Sequence, residues 1–346
     1  MTWLSAAGHD VRLFTYACDH DHFPFTQVDG VNDIVFHEHF QSSDLVVFHF
    51  GVYYPLFDTM LVTPRKAKRL VVFHNITPKQ FTPAENHELT DKSFRQMANI
   101  CFADHVVCVS QTNLAVLREA GITVPATVLP LALHSNAALA HGKPSAVDGV
   151  LRVAFLGRFV RSKGPTEVLR ALEAVLAARP EIRLQLDMIG NLKFSHSALL
   201  AELDAMTVTL RARFGERIRI AIHGNAAENE KNRILREADL FVLPSYHEGF
   251  CVPILEAMAS GCQVVSYDNS NIPAIAGDLA RLVPTGDVAA LSQAVSGAID
   301  EILSPAWSAP GGGYDQYAAR VSAYVDGFAP ERIAKRFLSF VRNLTS

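Results

Sequence analysis

Short runs of β-branched and aromatic residues recur along the chain, at Val11–Thr15, Leu45–Phe50, Leu70–His74, His105–Ser110, Thr127–Leu129, Leu151–Leu156, Arg183–Ile189, Ile218–His223, Leu240–Pro244 and Gln263–Tyr267. Between them, apolar residues return at helical spacing over Asn113–Ala120, Pro165–Ala177, Ser197–Phe214, Ala227–Ala238, Pro253–Ala259 and Val288–Leu303. Continuously apolar strands separated by amphipathic helices predict an α/β protein whose parallel sheets are covered on both faces. The alternation pauses over 135–150, a polar stretch with Gly, Pro and Ser that reads as a linker. It therefore divides the chain into a Rossmann-like domain over 1–134 and a second over 151–329, expected to face each other across a cleft. Ser304–Tyr314 (SPAWSAPGGGY) reads as a flexible loop. From Pro330, Ile333, Phe337, Phe340, Val341 and Leu344 form one helical stripe over 330–346 that needs an apolar partner.

At the start, Thr2–Ala7 reads as the end of a helix, Gly8 as its C′ residue and Val11–Thr15 as the next strand. A Rossmann-like domain opens instead on a buried strand and a glycine-rich turn, so the first strand of this domain is expected to be missing.

Composition narrows the function classes. The chain has 346 residues, 49% of them hydrophobic, enough for two cores. Its net charge of −4 gives no global basic field for nucleic acid, so any anion site must be local. Five cysteines without paired spacing argue against a disulfide framework and point to a reducing, cytoplasmic compartment. No apolar run reaches the roughly 18 residues of a membrane span, and the N-terminus does not read as a signal peptide. His20, His22, His37 and His39 lack ligand spacing and read as a polar loop, so no metal is expected.

The candidate chemistry lies at strand ends of the second half. After the strand ending at Pro244, a loop carries Glu248, Gly249, Phe250 and Cys251. Pro253 then suits the first turn of a helix, with Glu256 about one turn inside it. A helix N-terminus suits phosphate, and ionised carboxylates suit sugar hydroxyls. In FLGRFVRSKG, the strand ends at Leu156 and Gly157 allows a tight exit. Arg158 and Lys163 then occupy the loop, two cations that fit a diphosphate. Glu248 is expected in an exposed loop.

The Glu-x7-Glu spacing of Glu248 and Glu256 within EGFCVPILEAMASG, the basic loop GRFVRSKG and the segment ADHVVCVSQTN together resemble the family 4 glycosyltransferases of the GT-B fold, the group 1 glycosyl transferase type. The likeness is strongest over Leu151–Asp287. It implies a retaining hexosyltransferase that moves a hexose from a GDP-mannose-type or UDP-hexose donor to a hydroxyl of a polysaccharide or glycolipid acceptor. It also implies no metal and no cofactor, the nucleotide-sugar being a substrate. Carried over, Arg158 and Lys163 would hold the diphosphate and stabilise the leaving group. Glu248 would bind the donor sugar and Glu256 the ribose, while Gly249, Phe250, Cys251 and the loop at Asn271 would line sugar and phosphates. In VVFHNITP, His74 would approach the reacting sugar, and His49, Gly51 and Asn75 would lie on the acceptor side. The 330–346 helix would return to the first domain. Two positions depart from the family pattern: Ala274 where Glu is frequent and Gln263 where Pro is frequent.

Other readings compete. Paired carboxylates also suit a glycoside hydrolase, though that leaves the two cations unexplained. A non-catalytic or truncated nucleotide-sugar-binding relative is the other alternative. The run Arg65, Lys66, Lys68, Arg69 reads first as a solvated turn and second as a peripheral membrane contact for anionic lipid or a lipid-linked acceptor.

Overall fold

The computed structural model describes residues 1–18, 24–134, 143 and 149–345. The expected linker 135–150 therefore lies outside the described residues apart from Lys143, Gly149 and Val150, as do His20 and His22. Two compact units emerge, one of Met1–Ala132 with Pro330–Ser346, the other of Leu133–Ala329.

The first unit opens on a short helix, Thr2–Ala6, followed by Gly8 in the left-handed region. The strand expected at Val11–Thr15 shrinks to two residues, β1 (Phe14–Thr15), paired in parallel with β2 (Thr26–Gln27). His39 is not in a loop but in the helix Glu38–Ser42, and His37, in the extended residue just before that helix, caps it, its Nδ1 accepting the His39 N–H. A four-stranded parallel sheet follows in sequential order: β3 (Leu45–Phe50), β4 (Lys68–Phe73), β5 (His105–Cys108) and β6 (Ala126–Val128). Phe50, Phe57, Phe73, Met60 and Ile100 are fully buried around it. The helix Pro330–Thr345 lays its apolar stripe on this unit, burying Ile333 and Val341. Phe337 meets Trp3 at 6.2 Å and Phe340 meets His105 at 4.8 Å.

The second unit carries six parallel strands: β7 (Leu151–Leu156), β8 (Leu184–Gly190), β9 (Ile218–Gly224), β10 (Leu240–Leu243), β11 (Gln263–Asp268) and β12 (Ala280–Pro284). Their spatial order is β12-β11-β10-β7-β8-β9. The central strands are buried on both faces, as their unbroken apolar runs require. The segment Ser304–Tyr314 is not a flexible loop. Ser304 Oγ accepts the Trp307 N–H and starts the helix Pro305–Ser308, and a longer helix covers Gly313–Val325. Trp307 is buried and packs edge-on against Tyr314 at 5.8 Å, so two large aromatics anchor a segment whose Gly and Pro content suggested freedom.

Candidate functional site

Strand order reverses between β7 and β10 in the second unit: one half of the sheet grows outward through β8 and β9, the other through β11 and β12. Backbone exits on opposite sides of such a switch point leave a crevice beyond the strand ends, where ligands of open parallel sheets bind. The loop leaving β7 carries Arg158 and Lys163, and the loop leaving β10 carries Glu248 to Cys251. The two motifs separated by ninety positions in the chain are thus neighbours because the topology makes β7 and β10 neighbours.

The two loops are fastened together. Lys163 is the last residue of a turn of 3₁₀ helix, Arg161–Lys163, which Gly164 ends with φ +64°. A Cβ on Gly164 would stand 2.2 Å from the Pro244 carbonyl oxygen, so only glycine allows the β7 loop to lie against the end of β10. The Tyr246 N–H donates to the Ser162 carbonyl at 2.8 Å. The Lys163 ammonium donates to Glu248 Oε1 at 2.6 Å. Glu248 is only 6% exposed, so the expectation of an exposed loop position is corrected: a carboxylate this enclosed needs a partner, and Lys163 is that partner. Arg158 is exposed and, among the described residues, makes no ion pair.

Glu256 has the same arrangement. It lies in the helix Val252–Ala259, with Pro253 in the first turn. The Lys231 ammonium donates to Glu256 Oε1 at 2.6 Å and also pairs with Glu228 at 2.9 Å. Burial opposes the charge on Lys231, but hydrogen bonds to Glu228 and Glu256 outweigh it and raise its pKa. Each acid of the Glu-x7-Glu pair is therefore held by its own lysine. Sequence reasoning missed Lys231. The available signal was a lysine in the first turn of the helix Glu228–Glu237, where the helix dipole disfavours a cation unless acids surround it.

Cys251 caps the Val252–Ala259 helix with φ +78°, an unusual conformation for a residue with a side chain. Burial raises its thiol pKa well above the ordinary value. Asn271 is buried, and its Nδ2 donates to the Phe250 carbonyl at 2.9 Å. Its amide donor is thus committed to shaping the loop around Phe250. Cys262 and Met258 are core residues.

In the first unit, β3 and β4 are adjacent and end together, which brings their exits side by side. His49 Nδ1 lies 3.0 Å from His74 Nε2, with the rings stacked at 18°. One ring must donate and the other accept. Crowding by protein around His49, then the charges of His74 and of the N-terminal ammonium, push His49 down to about 4 although its side chain still reaches solvent, and burial lowers His74 as well. A Cβ on Gly51 would meet the Asn75 carbonyl oxygen at 3.1 Å and His74 Cβ at 3.2 Å, so Gly51 keeps this corner open. Asn75 itself is buried with φ +77°, and its Oδ1 accepts the Ile76 N–H. Asn113, which sequence reasoning did not select, donates to the Phe73 carbonyl just before His74.

Among the described residues, no group of three or more His, Cys, Asp or Glu is placed to hold a metal ion. The run Arg65, Lys66 and Lys68 is exposed, whereas Arg69 is half-buried and donates to the Phe102 and Thr63 carbonyls. No helix among the described residues is long and apolar enough to cross a membrane.

Residues 151–301 match the family model "Glycosyl transferases group 1". A D-inositol 3-phosphate glycosyltransferase of Pseudarthrobacter chlorophenolicus is 28% identical over 69% of this chain and 55% of its own. The O-antigen chain mannosyltransferase B of Escherichia coli is 44% identical, over 16% of this chain and 14% of its own. The chain thus spans about half or less of the curated relatives it matches. In three dimensions, a sucrose-phosphate synthase from Thermosynechococcus elongatus superposes with a TM-score of 0.74 over 99% of this chain and 90% of that one, at 20% identity.

Proposed function

We propose that this chain, whose residues 151–301 belong to the group 1 glycosyl transferases within a GT-B fold, is a retaining hexosyltransferase that uses a nucleotide-sugar donor. The observation that carries the reading is the pair of lysine-bound glutamates, with exposed Arg158, around the switch point of the second sheet. Arg158 and Lys163 would hold the diphosphate. Their charges would stabilise the negative charge that grows on the leaving phosphate, and Lys163, held by Glu248 beforehand, needs little reorganisation. Glu248 would accept hydroxyls of the donor sugar and Glu256 those of the ribose. Backbone groups of Gly249, Phe250 and Cys251 would line the sugar and phosphate, with Asn271 supporting that loop. The leaving phosphate would help deprotonate the acceptor hydroxyl as an oxocarbenium-like sugar passes between them on one face. His74 would stabilise that sugar, with His49, Gly51 and Asn75 on the acceptor side. No metal or other cofactor enters this scheme.

Against a glycoside hydrolase, both carboxylates face an ammonium at 2.6 Å, a setting suited to accepting hydroxyls rather than donating a proton. A non-catalytic binder remains the second reading, and turnover separates the two. A GDP-mannose-type donor and a polysaccharide or glycolipid acceptor draw support from the partial likeness to the O-antigen mannosyltransferase. A cytoplasmic position on the membrane face draws support from five cysteines without paired spacing and from exposed Leu61 and Val62, close in sequence to exposed Arg65, Lys66 and Lys68.

The test is transfer from UDP- and GDP-hexoses, with titration of UDP and GDP against their nucleosides. Arg158→Ala should weaken diphosphate binding by about 1.5–3 kcal/mol and leave nucleoside binding unchanged. Equal affinity of the wild type for nucleoside and nucleoside diphosphate refutes the phosphate site. Binding without turnover favours the non-catalytic reading.

A further inference from the structure

The Lys231–Glu256 contact has no counterpart in the sequence motifs. Glu256 Oε1 is fixed by the Lys231 ammonium at 2.6 Å, whereas among the described residues its second oxygen has no hydrogen-bond partner. The carboxylate is 18% exposed and the lysine side chain 15%, so both are largely enclosed while one acceptor oxygen remains open. Glu228 takes a second proton of the same ammonium at 2.9 Å, which leaves Lys231 little freedom to swing away. A glutamate on an eight-residue helix has three rotatable side-chain bonds, and its carboxylate plane is loose unless one oxygen is tethered. Here the tether comes from a different helix, Glu228–Glu237.

We propose that Lys231 is a positioning residue. By holding Oε1, it presents the second oxygen of Glu256 in a fixed orientation to the vicinal hydroxyls of the nucleotide's ribose, and so sets the preference for ribonucleotide over deoxyribonucleotide donors. This inference rests on the assignment of Glu256 to the ribose. The charge on Lys231 also keeps the enclosed carboxylate compensated before any ligand arrives. Lys231 acts through Glu256, so its removal should disturb the hydroxyl preference and leave diphosphate binding, which belongs to Arg158 and Lys163, in place.

Calorimetric titration of the full chain with UDP and GDP, and with the 2′-deoxy and 3′-deoxy form of each, supplies the readout. The wild type should favour the tighter-binding ribonucleotide over its deoxy forms by about tenfold or more, as the loss of a hydrogen bond to a charged group predicts. Lys231→Met should bring that ratio close to one while affinity for the deoxy forms stays near the wild-type value. Lys231→Arg, which keeps the charge, should restore much of the ratio, and Glu228→Gln, whose amide oxygen still accepts from the Lys231 ammonium, should keep most of it. Should Lys231→Met fail to fold, Lys231→Gln tests the same point with a neutral polar side chain. A wild-type ratio near one overturns the assignment of Glu256 to the ribose, and this inference with it. A large wild-type ratio that survives in Lys231→Met or Lys231→Gln overturns the role of Lys231 alone. A purely structural lysine would lower affinity for ribo- and deoxyribonucleotides equally, which also counts against the proposal.

Discussion

Replacing Lys163 by Met should destabilise the second unit far more than replacing Lys163 and Glu248 together. Lys163 Nζ and Glu248 Oε1 are 2.6 Å apart, with the side chains 18% and 7% exposed. At an effective dielectric constant of about 20, two unit charges at that distance attract by about 6 kcal/mol. Desolvation of both groups offsets most of that, so the intact pair contributes little net stability. Breaking it is another matter, because a carboxylate stays enclosed without compensation. For fully buried pairs that costs about 3–5 kcal/mol, and the remaining solvent contact here places Lys163→Met near about 3 kcal/mol. Glu248→Gln should cost about 2 kcal/mol, since the amide oxygen still accepts from the ammonium. The double variant, with no isolated charge, should cost only about 1 kcal/mol. The chain has two tryptophans, and Trp307 is buried in the second unit while Trp3 belongs to the first. Urea unfolding followed by Trp307 fluorescence, with all variants in a Trp3→Phe background, therefore reads the relevant unit. Single-variant losses that simply add in the double variant, with coupling below about 0.5 kcal/mol, refute the reasoning.

Three further outcomes are expected. Gly164→Ala should cost the second unit at least about 3 kcal/mol in the same urea assay and reduce nucleotide binding, because a methyl group 2.2 Å from the Pro244 carbonyl oxygen must push the two loops apart. Cys251→Val should cost about 2 kcal/mol by thermal denaturation, because a β-branched side chain is poorly tolerated at φ +78°, whereas Cys251→Gly should be better tolerated. His49, held down to about 4 against about 6.5 in an unfolded chain, binds fewer protons folded than unfolded in that window. The first unit should thus lose stability as pH falls from about 6.5 towards 4, and His49→Gln should flatten the dependence of the urea midpoint on pH; a steeper slope in that variant contradicts the assignment.

The strands of the second unit were legible because burial on both faces leaves unbroken apolar runs. Leu151–Leu156 appears with the expected bounds, and the neighbouring runs differ by a residue or two. β12 was not legible: ARLVP is short, lies at the sheet edge and alternates too little to stand out. The helix Gly313–Val325 was hidden behind a Gly-rich start, since its stability comes from Trp307 and Tyr314 meeting in space rather than from local propensity. Glu248, Glu256, Arg158 and Lys163 could be selected because their spacing is a motif. Lys231 could not, since its meaning depends on a contact across 25 positions between two helices. Nor could the enclosure of Glu248, which follows from how closely Gly164 lets the neighbouring loop approach.

The chain leaves the first unit at Ala132 and rejoins it at Pro330, so the second unit is a guest segment inserted in a host. The two ends of the guest are stitched together, the Leu133 N–H donating to the Phe328 carbonyl at 2.9 Å. Excising 133–329 and bridging Ala132 to Pro330 with a few residues would leave a continuous host, and the excised cassette would keep its own sheet and both lysine–glutamate tethers. Grafting a cassette from a relative into the same host should exchange nucleotide handling in one operation without touching the His49–His74 corner.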